Sequence, residues 1–166
     1  METCFGLATG PVMVGNVGAP TRMNYTVLGN TVNVANRLEH LCREVSCDVL
    51  ATEKVVQAAG KELIWRRVGP VAVRGKKEII EVFEPLGRAE DVDATLLEFK
   101  RAYETALAHF LRGDFTLAEV GLSPWVDVHP AARVLAEHCR VLAANPSLPE
   151  RLLVAGRLAN SENLPG

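Results

Sequence analysis

Most of the features that announce a chemistry are missing from this sequence. Its four cysteines, Cys4, Cys42, Cys47 and Cys139, form no Cys-x-x-Cys pair. That argues against a disulfide frame or a zinc site and for reduced thiols in a cytoplasmic protein. The four histidines, His40, His109, His129 and His138, lack metal-ligand spacing, and no residue set is picked out as a metal site. Net charge is −2, with Lys and Arg spread along the chain, so no basic patch points to nucleic acid. No charged-then-apolar leader opens the chain, and no apolar run approaches the length of a membrane span. The glycines at 10, 15 and 18 invite a phosphate-loop reading. It fails because Asn16-Val17 follows Gly15 where Lys-Ser/Thr is needed, and no Gly-x-Gly-x-x-Gly occurs. Turn and bulge chemistry accounts for these glycines better.

What is there fits a globular protein of one ordinary domain, or a small domain with an appendage: 166 residues, 48% hydrophobic and 23% charged. The most informative stretch is 24–37, Asn-Tyr-Thr-Val-Leu-Gly-Asn-Thr-Val-Asn-Val-Ala-Asn-Arg. It begins as alternating β-type residues, breaks at Gly29 and restarts as a helix, with Asn30 or Thr31 placed to cap it. Val34, Leu38, Leu41 and Val45 repeat at helical spacing and mark a buried stripe. Asn33, Arg37, His40 and Glu44 fall together on the flank beside it, which holds Arg37 at the edge of the core. Asn33 and Arg37 are four apart and project from one face. A planar guanidinium beside a neutral amide donor suits a phosphate or another oxyanion.

Around that stretch the pattern is first mixed and then helical. Residues 4–9 read as a strand, with Thr9-Gly10-Pro11 turning into a second apolar run at 12–17, a hairpin. A further strand covers 23–28, and a short one 48–51 leads to Thr52, placed to cap a helix through Ala59 with Gly60 as its stop. Residues 63–68 read as a strand, Gly69-Pro70 as a turn and 71–73 as a short strand. The basic turn Arg74-Gly75-Lys76-Lys77 then enters a closing strand, 79–84, and 85–90 reads as a linker. Beyond it, Asp91 or Asp93 caps a helix with Leu96, Phe99, Tyr103, Leu107 and Phe110 inward and Gly113 at its end. Asp114 starts a shorter helix to about Leu122, and Pro130 opens a last one before Asn145-Pro146. The apolar patch 152–158 predicts one more, frayed helix.

Three segments carry a family resemblance: Gly6-Leu7-Ala8-Thr9-Gly10-Pro11-Val12, Gly15-Asn16-Val17-Gly18, and the run from Tyr25 to Glu39 with its Thr-Val-Asn-x-x-x-Arg core. In register to about Phe83, they resemble the second half of a class III nucleotidyl cyclase catalytic domain. The resemblance implies an α+β fold, a partial ferredoxin-like cyclase sheet with helices over residues 1–86. An all-α, tetratricopeptide-like helical hairpin over 91–158 follows, then a flexible end at 159–166. It implies formation of 3′,5′-cyclic AMP and pyrophosphate from ATP, in a dimer whose sites lie at the subunit interface with two Mg or Mn ions on a pair of aspartates. By the same resemblance, Asn33 orients the ribose and supports the transition state, and Arg37 neutralises the attacked phosphate. Thr26 reads the base and leans towards ATP over GTP. Arg74 holds the terminal phosphates in place of a family lysine, with Lys76 sharing the task.

Two departures matter. The family's metal-binding aspartates lie upstream of the matched region, and the lysine that partners Thr26 in base reading is missing. The expectation is therefore a cyclase fragment that is inactive alone and needs a second cyclase subunit to supply the aspartates. The alternatives are a non-catalytic partner and a helical protein-interaction module.

Overall fold

The apolar stripe around Val34 becomes the inner face of a helix packed on a sheet. The computed structural model describes residues 3–19, 22–72 and 79–145, and in them the chain is mixed α/β. In chain order the elements are β1 (Phe5–Leu7), β2 (Met13–Ala19), β3 (Arg22–Leu28), α1 (Asn30–Val45), β4 (Val49–Thr52), α2 (Glu53–Ala59), β5 (Leu63–Ala72) and β6 (Ile79–Arg88). Three helices follow, α3 (Ala94–Arg112), α4 (Phe115–Leu122) and α5 (Pro130–Ala144), with a 3-10 turn at Ser123–Trp125 before the last. Four strands form one sheet in the order β1-β4-β6-β5, while β2 and β3 form a separate two-stranded ribbon. β1 runs parallel to β4, whereas β6 is antiparallel to both β4 and β5.

One hydrophobic core runs through the described residues. It starts at Val34, Leu38, Leu41 and Val45 of α1, passes Leu50, Val68 and Val82 of the sheet, and continues into Phe99, Leu107, Leu122 and Leu135. The α1 stripe is the one that the periodicity predicts, with Cys42 added. In α3 Phe99, Tyr103, Leu107 and Phe110 are buried together with Ala106 while Leu96 is half-buried, and α5 buries Ala131, Ala132, Leu135, Ala136, Cys139 and Leu142. Helix ends follow local chemistry. The Asp93 side chain accepts a 2.7 Å hydrogen bond from the Leu96 amide, the expected N-terminal cap. Gly113 closes α3 in the left-handed conformation at φ 88°. Pro130 occupies the first turn of α5.

Several expectations are corrected. The hairpin is β2 with β3, registered from Met13↔Leu28 to Ala19↔Arg22, and not the strand at 4–9 with the run at 12–17. β1 instead takes β4 as a parallel partner, which requires a long crossover, here β2, β3 and α1. Gly69-Pro70 is no turn. β5 runs straight through it with a register shift between Arg67 and Gly69; β5 is a sheet edge, where a residue without an amide proton is tolerated. Residues 85–88, expected in a linker, extend β6, with Trp65↔Pro85 and Leu63↔Arg88 still paired across a register shift between Ile64 and Trp65. Pro85 lies past the last β4–β6 pair, Ala51↔Phe83. Asn30 and Thr31 do not cap α1; Gly29 holds the cap position without a side-chain bond. Thr52 stands at the cap of α2 but makes no capping bond. The patch at 152–158 and the basic turn at 74–77 lie outside the described residues.

Candidate functional site

The joint between β3 and α1 is built by close backbone contact. Gly29 adopts φ 151°, ψ 166°, a conformation that disfavours any residue with a Cβ. A Cβ there would also lie 3.2 Å from the Pro11 carbonyl oxygen. The Thr31 hydroxyl donates to that same carbonyl at 3.0 Å, so the start of α1 is pinned to the segment between β1 and β2. Further along, β1 lies so near α1 that a Cβ on Gly6 would sit 2.0 Å from the Ala35 carbonyl oxygen and 2.6 Å from the Glu39 amide nitrogen. Only glycine permits this approach. The helix is thereby fixed at its first turn by Pro11 and at its middle by β1.

Asn33 lies in the first turn and is exposed, its amide donating to the Gly29 carbonyl at 3.3 Å. Arg37, one turn on, is half-buried, with its Nη1 sealed from water. Four residues apart on a regular helix, the two project from one face, beside the stripe of Val34 and Leu38. Glu44 is half-buried on the same flank and His40 exposed. His40 Nδ1 lies 2.9 Å from the Asn36 carbonyl oxygen and 2.7 Å from Glu39, which also pairs with Arg43 at 2.6 Å. These exposed contacts contribute little to stability, but they commit Glu39 to cations of its own helix. On consecutive turns of α1 stand the Asn33 side-chain amide and the partly desolvated Arg37 guanidinium, group types able to hold an oxyanion.

Thr26 sits half-buried on β3, opposite Gly15 of β2 and three residues before the Gly29 joint. Arg74 and Lys76 lie outside the described residues. Among the described residues, no group of three or more His, Cys, Asp or Glu is gathered to hold a metal ion. No helix there is long and apolar enough to cross a membrane.

Sequence reasoning missed a charged cluster at the junction of sheet and helices. Arg66 of β5 is fully buried and bonds Glu84 of β6 through Nε at 2.8 Å and Nη2 at 2.5 Å. The same Nη2 donates to Cys47 Sγ at 3.3 Å. The guanidinium stacks 3.9 Å from the Tyr103 ring centroid and 5.4 Å from that of Phe99, both on α3. Phe99 is stacked in turn on His129 at 3.7 Å. Burial works against the Arg66 charge, but Tyr103, Glu84 and Cys47 outweigh it and hold the group above its ordinary pKa. The neighbouring Arg67 pairs with Glu81 at 2.7 Å, and its amide donates to Glu104 of α3 at 2.9 Å. Two adjacent arginines in an otherwise apolar strand were the available signal.

Comparison with known proteins gives the family of this chain. The model of the adenylate and guanylate cyclase catalytic domain matches residues 1–83. The terminal-differentiation-specific adenylate cyclase of Dictyostelium discoideum is 35% identical over 126 residues, covering 66% of this chain and 6% of that protein. Adenylate cyclase 1 of Rhizobium meliloti is 37% identical over 94 residues, covering 57% and 14%. Among solved structures, the adenylyl cyclase CyaB from P. aeruginosa matches 49% of this chain and 41% of its own, at 29% identity and a TM-score of 0.40. The chain thus spans a small part of the length of these curated relatives. With its family model matched over half of its residues, this chain belongs to the adenylate and guanylate cyclase catalytic domain family.

Proposed function

We propose that this chain supplies the ribose-orienting and phosphate-neutralising half of an adenylate-type cyclase site, acting on ATP to give 3′,5′-cyclic AMP and pyrophosphate. The observation that carries the reading is the pairing of Asn33 with a half-buried Arg37 on one face of α1, on a helix held at two places by close backbone contact. Cyclisation is an in-line attack on phosphorus, in which the protein's share is positioning and electrostatic support. Arg37 carries the permanent charge that offsets what develops on the phosphate oxygens, and Asn33 holds the ribose so that its 3′-oxygen stays in line. Thr26 contributes to base reading, and Arg74 with Lys76 to the terminal phosphates. That these relatives are named adenylate cyclases supports reading ATP over GTP as the substrate.

Mg or Mn belongs to the reaction as the family resemblance implies it, but the aspartates of this chain do not fit as its ligands. Residues 1–83 contain one aspartate, Asp48. Further along, Asp93 is committed to capping α3, and Asp114 lies 3.6 Å from both Arg112 and His109. The reading therefore assigns the metal-holding carboxylates to a second cyclase subunit and takes the chain to be inactive alone. We take residues 1–86 as the family part and α3 to α5 as a tetratricopeptide-like helical tail; of the tail expected over 91–158 and the end at 159–166, residues 146–166 lie outside the described residues.

Mixing tests this directly. The chain is combined with a cyclase subunit that carries the aspartates but has its own matching Asn and Arg replaced, and is given manganese and ATP. Cyclic AMP formed by the mixture and by neither component supports the proposal; silence from a mixture shown to associate overturns it.

A further inference from the structure

Two thiols, Cys4 and Cys42, lie at the junction of β1 and α1, and no catalytic role uses them. Burial alternates along the first strand: Cys4, Gly6 and Ala8 are half-buried, while Thr3, Phe5 and Leu7 are exposed. A strand presents every second residue to one face. Gly6 faces α1, because a Cβ on it would meet Ala35, Leu38 and Glu39. Cys4 shares that face, one strand repeat further from Ala8. On α1 the residue one turn beyond Leu38 is Cys42, and its Sγ donates to the Phe5 carbonyl at 3.4 Å. Cys42 is thus at the Cys4 end of the strand. Burial first, and charge on Cys4 second, raise the pKa of Cys42. The other cysteines are engaged elsewhere: Cys47 Sγ lies against Arg66 and the Val45 carbonyl, and Cys139 is buried in α5.

We propose that Cys4 and Cys42 are a peroxide-oxidisable pair that closes into a disulfide, tying the edge strand β1 to the helix that carries Asn33 and Arg37. Cys4 is the more accessible of the two and meets the oxidant first. Burial pushes the Cys42 thiol up to about 11, so it serves as the resolving group and not as the peroxide nucleophile. In the first step the Cys4 sulfur attacks a peroxide oxygen; an S–O bond forms, the O–O bond breaks, and water or an alcohol leaves. In the second, the Cys42 sulfur attacks the Cys4 sulfenic acid, an S–S bond forms, and water carries off the remaining oxygen. With hydrogen peroxide, two thiols and one peroxide give one disulfide and two waters.

Tryptic mapping without reductant tests this, because each cysteine falls on a different peptide: Cys4 on 1–22, Cys42 on 38–43, Cys47 on 44–54 and Cys139 on 134–140. The reduced full chain is treated with hydrogen peroxide, blocked with N-ethylmaleimide and digested. The expected product is 1–22 joined to 38–43, two hydrogens lighter than their sum. It is lost with dithiothreitol and in Cys4→Ser, and retained in Cys47→Ser. The oxidised chain should melt higher by roughly 5–10 °C, a shift absent from Cys4→Ser. Cys4 recovered as sulfinate while Cys42 carries maleimide overturns the proposal, as does a dominant bridge between any other pair. The test holds whether or not the cyclase reading does.

Discussion

The helical half and the family half of this chain treat their apolar residues in opposite ways. In α3 to α5 the large stripe residues face inward: Phe99, Tyr103, Leu107, Phe110, Leu122, Leu135 and Leu142 are all essentially buried. In the family half, Phe5 on β1 and Met13, Val14 and Tyr25 on the β2–β3 ribbon are each more than half exposed. On that ribbon Met13 pairs with Leu28 and Val14 with Val27. Neighbouring pairs point to opposite faces, and both pairs are exposed, so neither face is covered at this end of the ribbon. A two-stranded ribbon is marginal in water without such cover. Apolar surface of this kind usually belongs to an interface, which fits a site completed by a second subunit. The helices bury most of their large apolar residues, leaving Leu117 and Val120 of α4 and the nearby Val128 exposed, whereas on the described ribbon apolar exposure is the rule.

The sharpest way to break this contrast is at the junction. Glu84→Ala strands the buried Arg66 charge and should cost about 3–5 kcal/mol of stability, measured by urea denaturation. Replacing both partners, Arg66→Met with Glu84→Leu, should recover most of that loss. If the single change is silent, the buried Arg66 charge at the junction does not depend on Glu84. Next in size is Arg37→Ala. In the mixed, metal-supplied assay it should raise the barrier by about 2.7–4 kcal/mol, read as a fall in kcat, because one key donor to the developing charge is lost. An assembled, active mixture indifferent to that change would falsify its assigned role.

Smaller effects sharpen the contrast further. Asp93→Ala removes the side-chain cap of α3 and should lower stability by about 1 kcal/mol in thermal melts. It should leave association with a second subunit unaltered. On the exposed ribbon the order reverses. Met13→Ser and Tyr25→Ser should shift stability by less than about 0.5 kcal/mol, yet weaken assembly in sedimentation or the mixing assay. Equal assembly by both variants would show that the exposed apolar surface is not what the partner meets.

Much of the helical half is legible from sequence, because its signals are local. Asp93 and Leu96, or Phe110 and Gly113, lie within one turn of each other, so a cap or a stop is written in a few consecutive residues. The same holds for the face shared by Asn33 and Arg37. The strand partners were less legible. The run at 12–17 reads equally well as the mate of the strand before it or after it, and only packing chooses β3. Gly69-Pro70 carries every local mark of a turn, and the long β5–β6 ladder overrides them.

From its own order of residues the chain determines the helical stripes, the caps at Asp93 and Gly113, and the placing of Asn33 one turn from Arg37. These follow from the fixed geometry of 3.6 residues per turn. Tertiary structure alone decides that β1 lies against α1 closely enough to require Gly6, that Cys42 reaches the Phe5 carbonyl, and that Arg66 is buried under Tyr103. Each of those depends on residues far apart in sequence, whose contacts exist only when the backbone has brought them together. A buried charge is the clearest case: nothing next to Arg66 in the chain reveals that Glu84 and Tyr103 will compensate for the water it loses.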